Sequence, residues 1–290
     1  MKEIKIGTIV QGHKYKEQLS ESVKYGFETF SLNWHMELNG ADLSQVAAEC
    51  QRIIGDSGKK ITTLGYYCNP LANEEHKKAL EYVIDSAHLF GAGIVSTFAG
   101  AIEAEPVKAS IPKFKEVFSE LSKRAEANGV KLAIENCPMG GNFRKATCNI
   151  GFNPKIWDMM FDAVPSNALG LEWEPAHQLI QLIDPLPQIK EYKDRIFHIH
   201  GKDANVDRAS ISRYGISGCQ EFVYSRTPGF GDTDWRKVFF ELYSIGYEND
   251  ICIEGYHDPI YKGEWELTGQ LHALDYLKWC RGGDFVEGNL

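Results

Sequence analysis

Four side chains able to ligate a cation each close a short apolar run. They are Glu135 in Leu-Ala-Ile-Glu, Glu174 in Leu-Gly-Leu-Glu-Trp-Glu-Pro-Ala-His, His200 in Ile-Phe-His-Ile-His and Glu254 in Ile-Cys-Ile-Glu. A run of apolar and β-branched residues reads as a buried strand, and a carboxylate or imidazole at its far end is held at the rim of a sheet. Endings of this kind on four successive strands point to one shared site at the C-terminal mouth of a parallel barrel. Three carboxylates gathered there repel one another unless a divalent cation joins them. Oxygen-rich coordination with one imidazole suits Mn²⁺ first, with Mg²⁺, Co²⁺ or Zn²⁺ as other occupants, rather than a structural thiolate zinc site.

Each of these positions has competitors nearby. Glu172 alternates with Glu174 and shares its face by the period of two, so the sixth-strand ligand is either of them. His198 shares a face with His200, but only the residue nearer the strand end reaches the mouth. His198 is therefore expected lower in the barrel, hydrogen-bonded in the interior. His177, three residues after Glu174, projects into the same mouth and is a candidate contact for a substrate hydroxyl. Lys202, Asp203, His257 and Asp258 follow the last two ligands closely, and Lys202 and His257 join the candidate substrate contacts. His13, Trp34, His35, Tyr66 and Tyr67 end the first three strands, where aromatic rings beside polar groups suit a sugar; Trp173, Phe230 and Trp265 could add to them.

Strand-like segments recur at residues 4–10, 29–34, 61–66, 93–97, 131–135, 169–173, 196–200 and 251–254. Helical segments separate most of them. Asp42 and Asn73 read as caps of helices ending near Gly55 and Gly91. Pro112 is expected in the first turn of a helix that stops at Asn128-Gly129. Asp232 or Thr233 is expected to cap residues 234–245, and the last helix to span about 264–279. Eight strand–helix units in 290 residues predict an α/β fold of the (β/α)₈ barrel type, one domain over residues 1–290. An open doubly wound sheet would carry a Gly-rich phosphate turn after the first strand, and Val10-Gln-Gly-His-Lys-Tyr lacks that spacing. Residues 203–233 form the one long interruption, hold Arg208, Arg213 and Arg226, and are a candidate lid or clamp. Arg208 counts among the candidate substrate contacts; an arginine pointing into the mouth would favour a phosphorylated or acidic sugar.

A net charge of −9 repels a phosphate backbone, so nucleic acid is not the expected partner. No apolar stretch approaches membrane-spanning length, and the start Met-Lys-Glu-Ile-Lys-Ile reads as strand-like, not as a signal peptide. The seven scattered cysteines form no Cys-x-x-Cys pair and read as reduced thiols of a cytoplasmic protein. The apolar tail of the last helix, with Tyr276, Leu277 and Trp279, is either barrel packing or the interface of a homo-oligomer.

In Ile134-Glu-Asn-Cys-Pro138, Gly170 to His177, His198-Ile-His-Gly-Lys-Asp203, Pro228-Gly-Phe-Gly-Asp-Thr-Asp-Trp235 and Ile253-Glu254, the chain resembles the xylose isomerase-like barrels, and among them the ketose 3-epimerases. The likeness covers nearly the whole chain. It implies one divalent metal held by Glu135, Glu174, His200 and Glu254, with Glu174 standing where the family carries Asp, and a substrate-contacting histidine at His177. It further implies a small keto sugar or related polyol as substrate. Glu135 and Glu254 then lie on opposite substrate faces, one removing the proton beside the carbonyl and the other returning it, with the metal stabilising the enediolate.

Return to the same carbon from the far side epimerises; return to its neighbour isomerises. Inosose dehydratases, hydroxypyruvate isomerases and lyases of 3-keto-glycosides share the barrel and the first proton removal. Abasic-site endonucleases share it too, but need three zinc ions and histidines on the third and fourth strands, where residues 61–70 and 91–100 have none. A non-catalytic sugar-binding barrel would keep the ligands without proton exchange.

Overall fold

The computed structural model describes residues 2–218, 220–284 and 286. Cys219 lies outside them, and the other six cysteines are free thiols.

The barrel strands are β1 (Ile6–Gln11), β2 (Thr29–His35), β3 (Lys60–Tyr67), β4 (Ile94–Thr97), β5 (Lys131–Glu135), β6 (Leu169–Trp173) and β7 (Ile196–Gly201). After β7 come two short strands outside the barrel, β8 (Asp203–Val206) and β9 (Val223–Arg226), and β10 (Ile251–Ile253) then completes it. These eight barrel strands close in the order β1-β10-β7-β6-β5-β4-β3-β2, with every pair parallel. Parallel neighbours need a crossover, and helices supply it: α1 (Tyr15–Ser22), α2 (Leu43–Ile54), α3 (Glu74–Phe90), α4 (Val107–Ala127), α5 (Pro154–Ala163), α6 (Pro175–Leu179), α7 (Leu186–Glu191) and α9 (Trp235–Ser244), while α10 (Glu266–Arg281) follows the last strand. The remaining helix, α8 (Arg208–Tyr214), joins β8 to β9.

The expected caps hold at two helices. Asp42 accepts from the Ser44 and Gln45 amides, and Asn73 from those of Glu75 and His76. In α4 the buried positions Phe114, Val117, Phe118, Leu121 and Ala125 recur at helical spacing and turn one stripe to the barrel wall. Two expectations are corrected. Pro112 is the sixth residue of α4, not in its first turn; the residue four places earlier, Lys108, is exposed, so water can take the hydrogen bond that proline cannot give. Neither Asp232 nor Thr233 caps α9, because both are drawn into the β8–β9 excursion: Asp232 accepts from the Val206 amide and the Thr233 amide donates to Asp203.

Inside the barrel, Ile94, Ala133 and Phe197 form a small apolar cluster of their own. The β6–β7 register steps from Leu171–Ile196 to Glu172–His198 and skips Phe197. This bulge lets Phe197 fill the interior while His198 and His200 still face it. Among the described residues, no helix is long and apolar enough to cross a membrane.

Candidate metal centre and active site

Glu135 ends β5, and the Asn149 amide fixes its backbone by donating to the carbonyls of Glu135 and Cys137 at 2.9 and 2.8 Å. Glu174 lies one residue past β6. Asn136 grips its backbone at both polar groups, donating to the Glu174 carbonyl and accepting from its amide at 2.9 Å each. His200 sits on β7 opposite Cys252 of β10, and Glu254 follows that strand with its amide bonded to the Gly201 carbonyl. Ligand atoms of Glu135, Glu174, His200 and Glu254 thus converge within 4.8 Å of one another, all buried, in a group able to hold a metal ion.

His200 orders the group. Its Nδ1 faces Glu135 Oε1 at 3.1 Å, Glu254 Oε2 at 3.2 Å and Glu174 Oε2 at 3.5 Å. Its Nε2 faces the other way, 3.1 Å from Glu172 Oε1. Glu172 lies deeper and is saturated: Tyr67 and Ser96 donate their hydroxyls to it at 2.8 and 2.6 Å, and His198 Nδ1 stands 2.6 Å away. Asn33 in turn donates to the Tyr67 hydroxyl. The two glutamates therefore share a face at different depths, Glu174 at the convergent group and Glu172 behind His200, with His198 in the expected lower layer.

Both oxygens of Glu174, and Glu254 Oε2, are buried with no hydrogen-bond partner. Buried carboxylate oxygens without donors are costly unless a cation meets them, so the donor set fits a metal ion. Lys202 supplies part of the compensation, with Nζ 2.7 Å from Glu254 Oε1 and 3.8 Å from Glu174 Oε1. Burial pushes Glu174 up to about 8, with Lys202 opposing and Glu254 adding to the rise. Burial acts on Glu254 too, but Lys202 and His200 hold it well below the ordinary carboxylate range. Burial also raises Glu135, against the pull of His200.

His177 Nε2 stands 3.1 Å from Glu174 Oε1, and its Nδ1 is buried without a partner. Burial, then Lys202, keeps that ring neutral. His257 stands exposed on the rim, where the charges of Lys202 and Glu254 act on it. Arg208 is exposed at the start of α8, outside the ion pairs of the cluster. Arg226 braces the excursion through Asp258 and Asn205, and Arg213 lies over the Tyr214 ring. Asp203 anchors the excursion's other end, accepting from the Ala204 and Thr233 amides and the Trp235 indole. A Cβ at Gly231 would fall 2.3 Å from the Asp203 carboxyl, so only glycine permits that approach. Of the aromatics, Tyr67 reaches the cluster; Trp173 is tied to Gln188, Phe230 stacks on Tyr261 and Trp265 is exposed.

Tyr67, Ser96, Asn136 and Asn149 shape the site without having been assigned these roles from sequence. Inward strand hydroxyls and the Asn after Glu135 were the available signals.

The model of the xylose isomerase-like TIM barrel family matches residues 19–280. The chain belongs to that family. Among similar proteins, an inosose dehydratase of Clostridium perfringens is 26% identical over 125 residues, 42% of this chain and 41% of that one. The matches to curated relatives thus span about half their length or less. Solved structures of similar fold include 3-keto-D-glucoside 4-epimerase YcjR from E. coli, at TM-score 0.70, 17% identity and coverage of 96% of this chain and 100% of that one. D-psicose 3-epimerase from Clostridium cellulolyticum H10, solved with D-tagatose, has TM-score 0.69 and 14% identity, covering 96% and 99%. The proteins to which this chain is similar thus include both epimerases and a dehydratase.

Proposed function

We propose that this barrel is a divalent-metal-dependent sugar isomerase or epimerase that moves a proton beside the carbonyl of a keto sugar or related polyol. The observation that carries this reading is the buried convergence of Glu135, Glu174, His200 and Glu254, with three carboxylate oxygens that accept no hydrogen bond. Lys202 offsets one of the three carboxylate charges, and one divalent ion cancels the remaining two. A second or third cation would overcharge the centre, which speaks against three-zinc nuclease chemistry.

Those four residues would hold the ion, with Mn²⁺ the first choice, and it would supply Lewis-acid polarisation of the substrate carbonyl. Glu135 and Glu254 are the candidate acid–base pair: one takes the proton from the carbon beside the carbonyl and the other returns it. Lys202 holds Glu254 in place, and His177 offers Nδ1 to a substrate hydroxyl. His257 on the rim is a further substrate contact. Arg208 is not adopted in that role, because it stands outside the cluster; with Arg226 and Arg213 engaged elsewhere, an unphosphorylated sugar or polyol is favoured over a sugar phosphate.

Elimination is the second reading, favoured by the match to an inosose dehydratase. The same proton removal would be followed by loss of the β-hydroxyl as water. The test is incubation of Mn²⁺-loaded protein in D₂O with free ketoses, 3-keto-glucosides and inososes, followed by NMR. Deuterium beside the carbonyl with an epimer or isomer as product supports the first reading; a dehydrated product supports the second. Metal bound with no exchange on any substrate rejects both.

A further inference from the structure

A cavity of about 650 Å³ opens beside the cluster, between the loop after β5, the end of α6 and the β8–β9 excursion. His177 and Cys137 line it, and these two have ligand atoms within 4.8 Å of Glu135. It therefore adjoins the candidate reaction centre, with His177 and Cys137 between the two. Its other walls include Met139, Ile180, Leu182, Ile216 and Phe222.

Two of these apolar residues occupy backbone positions that suit glycine. α6 ends with the Ile183 amide bonded to the Gln178 carbonyl and the Leu182 amide to that of Leu179, and Leu182 takes φ 60°. This is the left-handed helix-terminating position, where glycine is the usual residue. Across the cavity, the Gly141 amide bonds to the Pro138 carbonyl around Met139 at φ 48° and Gly140 at φ 74°. A turn with both central residues left-handed favours Asn or Gly first, not Met. Strain of this kind clusters where ligands are gripped. Here it places two large apolar side chains on one cavity.

His177, at the end nearest the cluster, keeps its Nδ1 free, but the side-chain polar groups farther along the lining are engaged. Gln181 donates to the Phe152 and His177 carbonyls, and Asn142 accepts from the Arg144 and Lys145 amides. A chain of sugar hydroxyls placed beyond His177 would lose its water for few partners. An apolar group would bury surface against five hydrophobic walls.

We propose that this cavity holds an apolar, non-reacting substituent of the substrate, so that the sugar handled is an aryl- or alkyl-substituted one rather than a free monosaccharide. This rests on the sugar reading above. The experiment measures binding of methyl, octyl and phenyl β-D-glucosides to the Mn²⁺-loaded protein by calorimetry, in the wild type, Leu182→Gly and Ile216→Glu. Leu182→Gly relieves the backbone while removing a wall, so its thermal midpoint should hold or rise as binding falls. Ile216 is 63% exposed, so its replacement leaves the fold intact. The expected result is octyl or phenyl glucoside bound at least roughly tenfold tighter than methyl glucoside, with that preference lost in both variants. Equal affinities, no binding of the octyl and phenyl compounds, or a preference untouched by both variants overturns the proposal. Deuterium exchange on the same samples separates the two levels. Efficient exchange on free ketoses without the binding preference leaves the reaction reading standing alone, whereas the preference without exchange on any sugar leaves the subsite and removes the reaction.

Discussion

Asn136 holds Glu174 by its backbone, donating to its carbonyl and accepting from its amide at 2.9 Å each. The residue after one acidic side chain of the cluster thus fixes the next, across two adjacent strands. Glu174 needs this, because it lies past β6 and has no ladder to hold it.

Replacing Asn136 by Ala should therefore loosen Glu174 without touching any carboxylate. Mn²⁺ affinity should fall by roughly 10–100-fold, and stability by about 1–3 kcal/mol for the unsatisfied backbone groups. Competition against a chelator reads the first and denaturant unfolding the second. A loss of stability with unchanged metal affinity would mean the clamp is structural only.

Glu172 and Glu174 differ by two positions and should behave differently. Glu174→Gln should abolish stoichiometric Mn²⁺ binding. Glu172→Gln should retain about one ion, bound roughly 10–100-fold more weakly, because it only disturbs the partner behind His200 Nε2. Elemental analysis after desalting distinguishes them, and the reverse pattern would exchange their roles.

Metal affinity should depend on pH. With burial raising Glu174 to about 8, that carboxyl holds a proton at neutral pH that an incoming ion must displace. Affinity should climb by roughly tenfold per pH unit up to about 8 and then level off. A flat profile between pH 6 and 9 counts against a buried, protonated Glu174.

Lys202→Met removes the ammonium at 2.7 Å from Glu254. Without metal, the variant should lose up to about 3–5 kcal/mol, since a buried carboxylate is stranded. With Mn²⁺ in excess the loss should shrink. Thermal unfolding in chelator and in Mn²⁺ gives both numbers, and equal losses would place Lys202 outside the charge balance.

Asp203 carries a separate pH signature. Burial raises its carboxyl from 3.8 to about 6, against the pull of the Thr233, Ala204 and Trp235 donors. The folded group thus keeps its proton to higher pH than the unfolded one. Its contribution favours the fold fully below about pH 4 and is lost as pH rises through about 6, by roughly 3 kcal/mol. The stability difference between wild type and Asp203→Asn, followed from pH 4 to 8 in chelator, should show that slope.

What could be read from sequence follows from where burial writes itself into residue type. The barrel strands announce themselves because both faces are apolar, and β5 and β6 fall on the expected residues. Glu135, His200 and Glu254 were visible as charges ending such runs. The choice between Glu172 and Glu174 was not, because period two puts both on one face and only Asn136 and the donors around Glu172 set their depths. The β8–β9 pair leaves little trace in the sequence, since four-residue strands in a polar stretch carry little pattern. Pro106, at the start of α4, went unread beside the more conspicuous Pro112.

The last barrel strand is only three residues long, and Glu254 follows it at once. Closure against β1 and delivery of the fourth acidic or imidazole group are consequently one event in the life of the chain. A chain cut short before residue 251 would therefore carry an open sheet edge and three of the four groups at once.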